Sequence, residues 1–362
     1  MTSRKVLILA AIAVAVLAAA LLLSHRETAT QQQTAAVLYP DLKGQLNKVT
    51  AVRIFRAGDA QAVELVRKDA DWTVAERSGY PANAPRVHKL LLALAEAKPL
   101  EEKTSNPQSY ATLGVEDVSG AAATGARIEI VGPSATVNLI VGKSAAGSGA
   151  YVRRAGEAAS WLIDQGIDAP LTPSEWLRTS IVDVSADRVQ SAAVTTEGAR
   201  PYVAEKTSRA DADFKVDAAV PKGKELDQFA ANAFANVLTG LTLSDVHPAA
   251  DFATDKPAAH ATVRTFDGLI VDLDGWTREG KHYIAVKTAY DDALAQRFHV
   301  ETKAPEKPAE AKPEGAPAEP PAPVPAAANE KVDETAKTLN AQLQGWVYEV
   351  SDYKYEAIFK PA

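Results

Sequence analysis

The 362 residues carry 46 acidic against 39 basic side chains, a net charge of −7 with both signs interspersed, and such a surface argues against nucleic acid as a partner. Cysteine is absent, which removes disulfides, thiol nucleophiles, iron–sulfur ligation, cysteine-type zinc sites and lipid attachment through a thiol. More than 300 residues follow the N-terminal hydrophobic run, enough to bury a sizeable core in two domains or one elongated body.

That run, residues 6–23, reads VLILAAIAVAVLAAALLL, without a charge, proline or glycine. At ~1.5 Å per residue it spans about 27 Å of helix, close to the hydrocarbon thickness of a bilayer. Arg4 and Lys5 precede it, whereas Arg26 behind it is offset by Glu27. The positive-inside tendency therefore predicts an inner-membrane, single-pass anchor over residues 1–27, N-terminus in the cytoplasm and soluble body in the periplasm. A cleaved signal peptide is the rival reading, given the alanines and a weak small-x-small pattern around Thr28 and Thr30. Leu21, Leu22, Leu23, His25 and Arg26 at the exit favour the uncleaved anchor. Residues 28–36 form a polar stalk.

Alternation of apolar and polar residues predicts short antiparallel strands at 49–55, 62–66 and 72–75. Pro81 and Pro85 then precede residues 87–97, where Val87, Leu90, Leu91 and Leu94 recur at helical spacing. A meander over 127–131, 136–141 and 150–153 follows, turning at Gly132-Pro133 and Gly147-Ser148-Gly149. The same order returns later. DADWTV at 69–74 is answered by DADFKV at 211–216, each behind a strand, at 49–55 and 188–195. Residues 225–238 place Leu226, Phe229, Phe234, Val237 and Leu238 on one helical face. Strands at 262–266, 269–273 and 282–287 repeat the meander, with Asp267-Gly268 and Asp274-Gly275 as hairpin turns. The fold class is thus α+β, two related units of antiparallel sheet plus packed helices after the membrane helix, over 37–180 and 181–302.

Residues 303–330 (KAPEKPAEAKPEGAPAEPPAPVPAAANE) cannot form a core and are read as a disordered insertion. The fold resumes over 331–362, with a helix at 332–343 and a strand or hairpin at 346–359 completing the second unit.

No catalytic, cofactor-binding or metal site is nominated. Gly142-Lys143-Ser144 lacks the first glycine of a phosphate loop, Val137 standing there, and a turn and strand follow where a helix is needed. His25, His88, His247, His260, His282 and His299 are scattered singly, unlike the paired ligands of a zincin helix. Asp272-x-Asp274-Gly275 lacks the third acidic position of a calcium loop. Paired carboxylates such as Asp69 with Asp71, Asp211 with Asp213 and Asp291 with Asp292 stand where turns use Asp for local hydrogen bonds. The aromatic residues Trp346, Tyr348, Tyr353 and Tyr355 are the candidate partner or ligand surface, with core or sheet packing the competing use.

Several strings are specific in combination: LYPDLKGQLNKVTAVRI at 38–54, WTVAERSGYPA at 72–82, KLLLALAEAKPLEEKT at 89–104, LGVED at 113–117, YVRRAGEAASWLID at 151–164, EWLRTSIVDV at 175–184 and GWVYEVSDYKYEAIFK at 345–360. Together they resemble the bacterial DUF4340 family across nearly the whole soluble chain, the Pro-rich tract being the departure. The resemblance implies a single-anchor envelope protein encoded beside ABC transporters of the gliding-motility type, and it implies no catalytic or binding residues. The expectation is a non-enzymatic accessory or scaffold protein partnered with inner-membrane ABC transporter components. A binding module for an envelope polymer or small ligand is the alternative, and a hydrolase with an unrecognised site lacks converging polar groups.

Overall fold

The computed structural model describes residues 37–134, 137–197, 201–217, 228–253, 256–298 and 326–360. The anchor, the stalk and residues 303–325 of the Pro-rich tract lie outside these. Among the described residues no helix is long and apolar enough to cross a membrane. The fold is mixed α+β, built on antiparallel sheets. It divides into two compact units, one comprising the chain to Trp72 together with Ala84–Thr172, the other Thr73–Asn83 together with Pro173–Ala362.

The first unit is organised by β1 (Ala51–Arg56), β2 (Ala60–Lys68), β5 (Pro99–Thr104), β6 (Ala126–Val131), β7 (Val137–Ser144), β8 (Ala150–Arg154) and β9 (Ser160–Ile163), in the order β2-β1-β6-β7-β8-β9-β5. Period-two patterning divides the two faces of this sheet. Val52 lies opposite Leu65 and Ile130, and Ile54 opposite Val63 and Ile128, all fully buried or nearly so. Between them Arg53 points the other way, 2.8 Å from Glu64 and 3.4 Å from Glu129 on the flanking strands. Helix α1 (Ala84–Glu96) buries Val87, Leu90, Leu91 and Leu94, the spacing seen in the sequence, and Pro85 falls in its first turn, where no amide partner is lost. Burying each such side chain contributes about 1.5–3 kcal/mol. A smaller cluster of Tyr110, Val115 and Ile140 encloses Arg153. The Arg153 guanidinium is 2 % exposed yet fully engaged, donating to the Val115 carbonyl (2.8 Å), the Glu157 carbonyl (2.9 Å) and Asp117 (2.7 Å).

The second unit holds β11 (Val189–Thr196), β12 (Tyr202–Glu205), β13 (Lys215–Asp217), β15 (Asp245–Pro248), β16 (Ala259–Thr265), β17 (Leu269–Arg278), β18 (Lys281–Tyr290) and β19 (Trp346–Val350), in the order β13-β12-β11-β16-β17-β18-β19-β15. A separate two-strand pair joins β10 (Ser180–Val182) to β14 (Leu241–Thr242). Both large sheets follow one plan. A first hairpin is followed by a helix, then by a strand sent to the far edge, and then by a four-strand meander that begins beside the first strand. Trp72 and Phe214, the aromatic residues of the paired hexapeptides, are 2 % and 4 % exposed.

Helix α2 (Tyr110–Leu113) is a single turn, α3 (Gln228–Phe234) follows β13, and α4 (Asp292–Arg297), α5 (Ala326–Leu343) and α6 (Asp352–Phe359) belong to the second unit. The backbone of α5 is helical from Ala326, inside the span read as part of the insertion. It packs along β18, where the Thr288 hydroxyl donates to the Ala336 carbonyl at 2.7 Å. The hairpin of β3 (Asp71–Val74) and β4 (Tyr80–Pro81) gives Thr73–Asn83 to the second unit. There Arg77 grips Asp245 through two bonds of 2.6 and 2.8 Å, and Tyr80 meets Trp346 and Tyr348 edge-on at 5.1 and 6.2 Å.

Three local expectations are corrected. Residues 346–359 do not continue as strand or hairpin, because the Ser351 hydroxyl accepts the Lys354 amide (3.4 Å) and starts α6, whose Tyr355, Ile358 and Phe359 are buried at helical spacing. Asp274-Gly275 is not a turn and lies inside β17, the reversal falling at Glu279-Gly280, both with positive φ (53° and 76°). Gly275 is required there by packing, since a Cβ would stand 2.6 Å from the Phe359 ring. Phe229 does not share the buried face of Phe234 and is 81 % exposed.

Candidate binding groove

The four aromatic residues singled out in the C-terminal segment do not form one surface. Trp346 and Tyr348 sit two apart on β19 and are both covered by Tyr80 from the hairpin, leaving Tyr348 1 % exposed and its phenol pushed up by burial. Tyr355 is 4 % exposed and stacks on His282 at 4.2 Å. Tyr353 alone projects outward, 77 % exposed.

Tyr353 shares a groove with Phe229, which helical spacing places on one face with Phe234. It lines a groove of about 570 Å³ with Phe229, walled by Ala233 and Val237 on and after α3 and by Ala357 on α6. Both walls are anchored from behind. On α3, Phe234 packs edge-on against Tyr202 at 5.5 Å, the Gln228 amide donates to the Phe214 carbonyl at 2.9 Å, and Asn232 donates to Asp213 at 2.8 Å. On α6, Tyr355 and Phe359 fill the interior while Glu356 pairs with Lys360 at 3.1 Å along the rim. Lys354, also on the rim, forms no ion pair among the described residues. The result is a groove between two short helices with an apolar floor and a polar rim that includes Asn236, Thr239 and Lys354, and with Phe229 and Tyr353 largely exposed. Ala231 and Phe234 form the buried face of α3, and the Gln228 and Asn232 bonds to the Asp213–Phe214 segment hold that orientation, which leaves Phe229 outside.

The remaining motifs resolve as structure. Lys143 of the Gly-Lys-Ser triplet donates to the Thr112 carbonyl at 3.0 Å, completing the C-terminus of α2, and Gly142 is needed because a Cβ would lie 2.3 Å from the Leu113 carbonyl oxygen. Asp272 and Asp274 flank His260 on the exposed face of the second sheet, Asp274 at 2.9 Å and Asp272 at 3.7 Å, while the Thr262 hydroxyl donates to Asp272 at 2.6 Å. That is a cross-strand polar network on an open sheet. Among the described residues no cluster of three or more His, Asp or Glu is placed to hold a metal ion.

The sequence pattern of the domain of unknown function DUF4340 matches residues 72–262, just over half of the chain. The chain belongs to the DUF4340 family. No curated protein and no solved structure matches it. The DUF4340 match opens at Trp72 and closes inside β16, so it contains α3 and Phe229, whereas α6 and Tyr353 lie beyond it.

Proposed function

We propose that this DUF4340 protein is a non-enzymatic accessory or scaffold subunit of the bacterial envelope, anchored by residues 6–23 with its body in the periplasm, and that it works with an inner-membrane ABC transporter. The two units are on this reading copies of one α+β module, the second having gained a partner groove. The observation that carries the proposal is the pairing of Phe229 and Tyr353, 81 % and 77 % exposed, across one apolar groove. The occupant that fits is an apolar segment of an extracytoplasmic transporter loop bearing an acidic residue for Lys354. Anchoring and transporter association are supported by the apolar run and by what resemblance to the family implies.

Affinity purification of the full-length protein from native membranes tests this. Transporter subunits should copurify with the parent and be lost with Phe229→Ala plus Tyr353→Ala, both folded by circular dichroism. Absence of any transporter subunit from the parent sample refutes the association. The same exposed rings also suit stacking on sugar faces, and retention by envelope glycan that disappears in the double variant would favour the polymer-binding alternative.

A further inference from the structure

We propose that the first unit carries a separate site, a pocket for a small ligand bearing a phosphate or carboxylate group. The pocket has a cavity volume of about 380 Å³ between α1, the end of β7 and the segment after β9. This lies within the size range of small-molecule sites and exceeds the needs of a bare ion, so it suits an anionic ligand of monosaccharide size. Ala93 on the helix places little bulk there.

The lining chemistry selects the ligand. Arg86 and Lys89 are three residues apart on α1 and so share its face toward the cavity. Arg86 is oriented by Asp168, 2.9 Å away, and that pair is electrically balanced. Lys89 has no ion pair among the described residues, and the Ser144 hydroxyl opposite has no side-chain hydrogen bond among them. The cavity thus holds an uncompensated ammonium and an open hydroxyl donor beside a guanidinium held in place. An oxyanion satisfies the Lys89 ammonium and the Ser144 hydroxyl, with a charge-assisted bond from the lysine, beside the Arg86–Asp168 pair. Asp168 limits the charge the site accepts, since a second carboxylate stands against it.

The test is isothermal titration calorimetry of the full-length protein in detergent at low salt, with glucose 6-phosphate, glucuronate and glucose as probes. At least one anionic sugar should bind while glucose does not, and the stronger of the two identifies phosphate or carboxylate as the preferred group. Lys89→Ala should weaken binding about tenfold with an unchanged melting temperature, because Lys89 is exposed. Asp168→Asn should strengthen it, an effect a merely structural role would not produce. Lys68→Ala, a change elsewhere on the same unit, should leave it unaltered. No heat from either anion, binding of glucose equal to the anions, or full retention of binding in Lys89→Ala overturns the assignment.

Discussion

Arg77 and Asp245 are 168 positions apart in sequence, and their two parallel bonds fasten the hairpin to the second unit with both side chains mostly removed from water. Burial by itself lifts the Asp245 carboxyl. The Arg77 hydrogen bonds, the Val246 amide and the Arg77 charge outweigh it and hold the group below the ordinary carboxylate value. On acidification the unfolded chain therefore takes up this proton first, so the pair's contribution is present in full at neutral pH and is lost as the pH falls below ~4. We expect Asp245→Asn to cost about 2 kcal/mol at pH 7, with the gap to the parent closing toward pH 3 in denaturant titrations. Packing sets a second residue-scale prediction. Gly275→Ala pushes a methyl into the Phe359 ring and should destabilise by about 2 kcal/mol, while Phe359→Leu in the same chain should recover part of the loss. Neither feature was legible beforehand. Asp274-Gly275 has the composition of a hairpin turn, and only the ring from an element 84 residues later explains why glycine stands inside a strand.

Local periodicity found the elements whose partners are close in sequence and failed where distant packing decided the outcome. Helix α1 and the two meanders follow their apolar spacing directly, because each needs only one face buried. The segment after Trp346 alternates well enough to look extended throughout. Ser351 ends the strand by accepting a backbone amide, and from there Tyr355, Ile358 and Phe359 mark a helix whose short length hides its period. Removing that cap with Ser351→Ala should cost about 1 kcal/mol and loosen α6 first, seen as faster amide exchange over residues 352–359 than in β19. On α3 the buried face belongs to Ala231 and Phe234, and the Gln228 and Asn232 bonds to the Asp213–Phe214 segment hold the helix so that Phe229 stays outside. Of the four aromatic residues named from the sequence, the groove keeps Tyr353 and adds Phe229. The other three are withdrawn by Tyr80 and His282, contacts that no spacing rule reveals.

At the scale of the whole chain, the paired hexapeptides DADWTV and DADFKV mark corresponding places in two sheets that share one strand order, with the long excursion between β18 and β19 set where the first sheet has only a short turn between β8 and β9. The path crosses between units three times, at Trp72, Asn83 and Thr172, because a short hairpin is given to the second unit before the first is complete. A fragment beginning at residue 173 therefore lacks Arg77 and Tyr80, leaving Asp245 unpaired and Tyr348 uncovered. We expect that fragment to bind hydrophobic dye and to melt well below the intact protein, and restoration by a peptide spanning residues 73–83 would trace the defect to the hairpin. The central claim, that Phe229 and Tyr353 form the face through which this protein joins a membrane transporter, is tested most directly by photo-crosslinking in living cells. A benzophenone amino acid placed at Tyr353 should give a discrete adduct containing a transporter subunit, and the same probe at Leu171, exposed on the first unit, should not. Identical patterns from both positions, or no adduct from Tyr353, would contradict it.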